Sequence, residues 1–74
     1  MSKKIDVKGT ACPMAVMQTM KVLKSMEKDE ILEVHSDDVA FEANIRSMCS
    51  NTGHILFSLE NKVTYWEAII KKGT

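Results

Sequence analysis

Two cysteines in 74 residues are too few to staple a secreted scaffold. Cys12 and Cys49 also lack the C-x-x-C spacing of a thioredoxin-type dithiol. Charge of one sign is missing as well, because ten basic side chains balance ten acidic ones. That balance excludes a general nucleic-acid binder, which would carry a basic face. It leaves room for a local basic patch toward one acidic partner. No apolar run approaches the roughly 20 residues that span a bilayer. Met1-Ser2-Lys3-Lys4 leads into Ile5-Asp6 rather than into the apolar part of an export signal. The expected compartment is the cytoplasm, with both cysteines as thiols. Repeats, low-complexity segments and internal linkers are absent, so one domain over residues 1–74 is expected. His35 and His54 have no close-spaced ligand partner of the structural-zinc kind. No metal and no other cofactor is expected.

What is present suits a soluble globular domain: 45% of residues are hydrophobic and 27% charged. Ile5-Asp6-Val7 alternates as a short strand. From Pro13 to about Met26 the chain has a helical period, with Val16, Met20 and Leu23 on one face, extended by Met17 and Met26. Methionines at such spacing are read as plastic core packing. After the polar turn Glu27-Lys28-Asp29-Glu30, residues 31–35 read as a strand. Ser36-Asp37-Asp38 is a helix-start signal. It opens a second helix from about Val39 to Ser50, whose buried face is Phe41, Ile45 and Met48 or Cys49. Gly53 serves as its left-handed C-cap. His54 to Leu59 forms a third strand with Ile55, Phe57 and Leu59 on one side. Glu60-Asn61-Lys62 turns the chain into a fourth strand, Val63 to Ile70, paired as a hairpin. Residues 71–74 form a short tail. The expected fold is α+β, a two-layer α/β sandwich in the order β-α-β-α-β-β. It has a four-stranded mixed sheet with two helices on one face. Strand order stays open.

The chemistry concentrates in Lys8-Gly9-Thr10-Ala11-Cys12-Pro13. Gly9 permits backbone angles that other residues avoid. Pro13 suits the first helical position, where its missing N–H costs nothing. Cys12 then falls at or beside the N-cap, where free N–H groups and the positive end of the helix dipole favour a thiolate. The other use of a free cysteine, as a small buried hydrophobe, stays open for Cys12. It is the reading for Cys49, late in the second helix at an apolar position. Asp37 and Asp38 are read as caps rather than an acid–base pair. Most lysines form a solvated face, with Lys8, Lys21 and Lys24 as candidate contacts for an acidic partner.

Asp6-Val7-Lys8-Gly9-Thr10-Ala11-Cys12-Pro13 resembles the signature Asp-x-Arg/Lys-Gly-x-x-Cys-Pro-x-Pro of the TusA/SirA-like sulfur carriers. Met48-Cys49-Ser50-Asn51-Thr52-Gly53-His54 is similar to the family's aromatic-Cys-x-x-x-Gly-His segment. Length and element order match over nearly the whole chain. The resemblance implies a two-layer sandwich like the C-terminal domain of a bacterial translation initiation factor. It implies that Cys12 carries sulfane sulfur as a persulfide, and that Cys49 is structural. It further implies a persulfide donor such as a cysteine desulfurase and a downstream acceptor protein, on a route such as tRNA thiolation, sulfur oxidation, or molybdenum-cofactor or selenium metabolism. One position departs: Ala15 stands where the family has its second proline. Alanine keeps the helix start, and its N–H, which proline would lack, is available to bond the Cys12 sulfur.

The function expected is a monomeric sulfur carrier, acting stoichiometrically rather than as a turnover enzyme, with protein partners and no direct nucleic-acid or membrane contact. Gly9, Pro13 and Ala15 support the turn around Cys12. Two other classes remain: a non-catalytic regulatory or interaction module on the same fold, and a thiol redox protein that would need Cys49 as a resolving thiol.

Overall fold

Residues 2–10 and 14–74 are described in the computed structural model of the protein. The elements are β1 (Ser2–Asp6), α1 (Met14–Ser25), β2 (Ile31–Ser36), α2 (Phe41–Thr52), β3 (Ile55–Asn61) and β4 (Trp66–Lys71). The expected β-α-β-α-β-β order stands, and the open question of strand order resolves to β1-β2-β4-β3. β1 runs parallel to β2, with Ile5 opposite Val34 and Asp6 opposite His35. β4 runs antiparallel to both β2 and β3. Parallel neighbours cannot be joined by a hairpin, so α1 is the crossover that returns the chain to the same end of the sheet.

Side chains alternate across a strand. Leu32, Val34 and Ser36 of β2 and Ala68 and Ile70 of β4 therefore face one way, and all five are wholly buried. Leu23 of α1 and Phe41 and Ile45 of α2 close over the apolar ones in a single core cluster, so both helices cover the same face. β2 and β4 are the two inner strands, and the core sits on them. No helix of the described residues is long and apolar enough to cross a membrane.

The α2 reading holds at its buried face and at its C-cap. Phe41, Ile45, Met48 and Cys49 are buried, and Gly53 takes φ +83 while its N–H donates to the Cys49 carbonyl. The start of α2 differs from expectation. The helix begins at Phe41, and its N-cap is Ala40, which makes no side-chain cap. Asp37 is drawn away to a different donor, the Gly9 N–H. Ser36 is the last residue of β2, where its Oγ accepts from the Asp38 N–H at 3.2 Å.

The α1 face keeps Leu23 and Met26 of the expected one but is rotated over the first turns of the helix. Ala15, Thr19 and Leu23, spaced by four, are fully buried together with Met26. Val16 and Met20 pack only at the rim, and Met17 is 55% exposed. Small residues allow the helix to lie close to the sheet. The Thr19 hydroxyl is satisfied within the helix by donating to the Ala15 carbonyl at 2.8 Å. Counting large apolar side chains misses such a seam.

β3 also differs. Leu56 and Leu59 pack on the core, whereas Ile55 and Phe57 are exposed. The register shifts between Leu56 and Ser58, a bulge that inserts one residue and breaks the simple alternation. The fourth strand starts at Trp66 rather than Val63. Asn61 Oδ1 accepts the Val63 N–H at 2.9 Å, and the Lys62 N–H donates to the Tyr65 carbonyl, so residues 62–65 are a side-chain-closed turn. Lys71 belongs to β4. Beyond it, the Lys72 N–H bonds the Glu30 carbonyl and the Gly73 N–H donates to His54 Nδ1 at 3.1 Å, which ties the expected tail down.

These placements separate two phenylalanines of equal chemistry. Phe41→Ala empties a fully buried site and should cost about 3–5 kcal/mol, a large part of the stability of a small domain. Phe57→Ala, at a 58% exposed site, should cost under about 1 kcal/mol. The shift of the urea midpoint in the two variants checks this.

Candidate functional site

β1 ends at Asp6, and a ladder of hydrogen bonds holds the turn beyond it. Val7 is buried, and its N–H donates to the His35 carbonyl at 2.8 Å, extending the β1–β2 pairing by one residue. The Asp6 carboxylate then accepts the Lys8 N–H at 2.9 Å. Gly9 takes φ +88, a region in which a side chain would be strained. Thr10 turns back on Val7, whose carbonyl accepts both the Thr10 N–H at 3.2 Å and its hydroxyl at 2.6 Å. The long-range tether is Asp37. Its Oδ1 accepts the Gly9 N–H at 3.0 Å across 28 residues of sequence. Gly9, Thr10, Asp37, Asp38 and Val39 line an open hollow of about 370 Å³ beside this turn. α1 starts at Met14.

Cys12, Ala11 and Pro13 lie outside the described residues. The expectation for the Cys12 thiolate, for Pro13 at the first helical position, and for a bond from the Ala15 N–H to the Cys12 sulfur falls on them. Ala15 itself is fully buried in the first turn of α1.

Cys49 is 5% exposed in the core, and burial pushes its thiol pKa up, so it stays protonated and poorly nucleophilic. The structural reading of Cys49 agrees with this placement. It also weighs against Cys49 as a resolving thiol.

The candidate lysines do not form one patch. Lys21 and Lys24 lie on the outer side of α1, where with Met17 and Met20 they line a groove of about 240 Å³. Lys8 is engaged elsewhere. Its Nζ lies 3.8 Å from an Asp6 carboxylate oxygen and 4.8 Å from the centre of the Tyr65 ring. Tyr65 in turn stacks against His35 at 4.9 Å. His35 points away from the helices, so Lys8 serves the opposite side of the sheet.

That opposite side holds a cluster with no counterpart among the sequence motifs. His35 Nε2 lies 2.6 Å from Glu33 Oε2 and 3.4 Å from Glu67 Oε2. Glu33 and His35 are two apart on β2, and Glu67 is the cross-strand partner of His35 on β4. The available signal was Glu-x-His on a strand, but its third member depended on a β2–β4 register that adjacent residues do not reveal. His54, the other histidine, accepts a hydrogen bond from the chain terminus. Burial and the Lys72 charge hold its pKa below the usual imidazole value.

The comparisons with known proteins agree with this geometry. The family model for sulfurtransferase TusA matches residues 3–72. The chain is 32% identical over 68 residues to a "Putative sulfur carrier protein" of Archaeoglobus fulgidus, covering 92% of this chain and 93% of that protein. It is also 32% identical over 69 residues to the "Putative sulfur carrier protein YrkF" of Bacillus subtilis strain 168, covering 93% of this chain but 37% of the longer relative. In three dimensions it superposes on the SirA-like protein of Desulfitobacterium hafniense with a TM-score of 0.82 at 26% identity, over 97% of this chain and 99% of the other. The family match over residues 3–72 and the 32% identity to a relative covered over 93% of its length show that the chain belongs to the TusA sulfurtransferase family.

Proposed function

We propose that the protein is a sulfur relay whose Cys12 takes sulfane sulfur from one protein and passes it to another. The observation that carries this reading is the family match over residues 3–72, with the Gly-x-x-Cys-Pro segment between a tethered turn and a helix start. The Cys12 thiolate attacks the terminal sulfur of a donor persulfide. A new S–S bond forms at Cys12, and the donor's S–S bond breaks with its electron pair leaving on the donor sulfur as a thiolate. The terminal sulfur keeps its proton, and Cys12 holds it as Cys12–S–SH. An acceptor thiolate then attacks that terminal sulfur, and Cys12 departs as the thiolate. No net oxidant or reductant is needed. A stabilised thiolate is favoured both as the attacking group at neutral pH and as the leaving group, and Met14, the first residue of α1, stands two residues after Cys12. Lys21 and Lys24, beside the exposed Met17, are the contacts proposed for an acidic partner surface. A cytoplasmic monomer with a cysteine desulfurase or other persulfide donor, on a pathway such as tRNA thiolation, completes the reading.

Intact mass after incubation with a cysteine desulfurase and cysteine tests it. Wild type and Cys49→Ala should each gain one sulfur atom that reductant removes, and Cys12→Ser should gain none. Gain in Cys12→Ser would overturn the assignment. So would an unmodified but alkylatable Cys12 after both this donor and a thiosulfate-derived persulfide donor. Full activity of Cys12→Ser in the cell would point to the interaction-module reading.

Asp37 supplies a second test. Asp37→Ala removes the acceptor of the Gly9 N–H, an exposed bond worth about 1 kcal/mol. Sulfur loading should slow several-fold, and the urea midpoint should fall by no more than about 1 M, the shift that a loss of about 1 kcal/mol implies. An unchanged loading rate would show that the tether does not position the turn.

A further inference from the structure

We propose that Glu33, His35 and Glu67 form a binding site for one divalent transition-metal ion of the zinc type, on the sheet face opposite the helices. The site is independent of the sulfur-relay reading, since it uses neither cysteine. Its three ligands come from β2 and β4, the two inner strands, so their backbone positions are fixed by pairing on both sides. Glu33 and His35 share a face because they are two apart on one strand. Glu67 reaches them because it sits directly opposite His35.

The separations suit a metal. One donor atom from each residue lies within 4.8 Å of the other two. The imidazole Nε2 is 2.6 Å from one carboxylate and 3.4 Å from the other. Ligands at about 2.0–2.2 Å from a tetrahedral zinc lie roughly 3.3 Å apart, so small carboxylate rotations bring all three to bonding distance. The histidine is already held. It is 9% exposed, its carbonyl is tied to the Val7 N–H, and its ring lies against Tyr65. Holding the ring in advance lowers the ordering cost of binding.

The donor set narrows the ion. One imidazole nitrogen and two carboxylate oxygens suit zinc, cobalt(II) or manganese(II), and not a soft ion such as copper(I). Two carboxylates face one histidine, and the Lys4 ammonium lies 3.7 Å from Glu33 Oε2 on a mostly exposed side chain. That ammonium can swing away into water when an ion enters. Three protein ligands leave a fourth position toward solvent, as in open metal sites.

The test uses the full chain as Cys12→Ser, stripped with chelator and titrated calorimetrically with zinc. One ion per chain should bind, and the His35 ring resonances should shift. Cobalt(II) should give ligand-field absorption without a thiolate charge-transfer band. In the Cys12→Ser background, Glu67→Gln and Glu33→Gln keep side-chain shape at half-buried positions, and each should weaken binding at least about tenfold, since losing even a supporting group typically costs that much. Far-UV circular dichroism confirms that the variants are folded. Absence of binding to the Cys12→Ser chain, a thiolate band with cobalt, or undiminished affinity in both folded glutamine variants would overturn the proposal.

Discussion

The parallel pairing of β1 with β2 is the constraint on which the rest depends. Two parallel neighbours require a crossover, and the segment between them is α1 with its two connections. The first connection, residues 7–13, must turn the chain from the end of β1 into a helix lying across the sheet. Gly9 supplies the left-handed backbone, Thr10 closes on Val7, and Asp37 reaches over from the end of β2 to hold the Gly9 N–H. Cys12 falls in sequence between this described turn, which ends at Thr10, and the start of α1 at Met14.

Much of this was legible in the sequence because the signals are local. The Gly-x-x-Cys-Pro run, the Gly53 cap and the Phe41, Ile45, Met48 and Cys49 stripe each depend on neighbours within a few residues, and the last two stand in the structure as read. What escaped has a common cause. The α1 seam is built from Ala15 and Thr19, small side chains that are wholly buried and that a count of large apolar residues passes over. The β3 bulge at Leu56–Ser58 redirects Phe57 to solvent without any marker in composition. Asp37 looks like a helix cap until the loop of β1 arrives beside it. Glu67 becomes a neighbour of Glu33 and His35 only once β4 has inserted between β2 and β3. In each case the deciding partner is distant in sequence.

The two faces of the sheet divide the work. The helix-covered face carries the apolar core and with it most of the stability that a chain of 74 residues can gather. The other face bears paired charges and an ordered histidine, and has no helix over it among the described residues. A relay whose substrate arrives on another protein needs no deep cavity. The proposed relay would need a platform for a partner protein, and among the described residues the hollow beside Gly9 and Asp37 is open. Cys49 is buried in the core with its thiol pKa pushed up, so on the proposed reading the partner-facing sulfur is Cys12.

On the proposed reading, Cys12 is held as a thiolate. The most direct measurement is the rate of Cys12 alkylation against pH in the Cys49→Ala protein, which has one thiol to report. A midpoint below that of an ordinary cysteine, about 8.5, is the expected result for a thiol activated by a helix N-terminus. A midpoint at or above that value would contradict it, and the turn and helix start would then be scaffold without an activated sulfur.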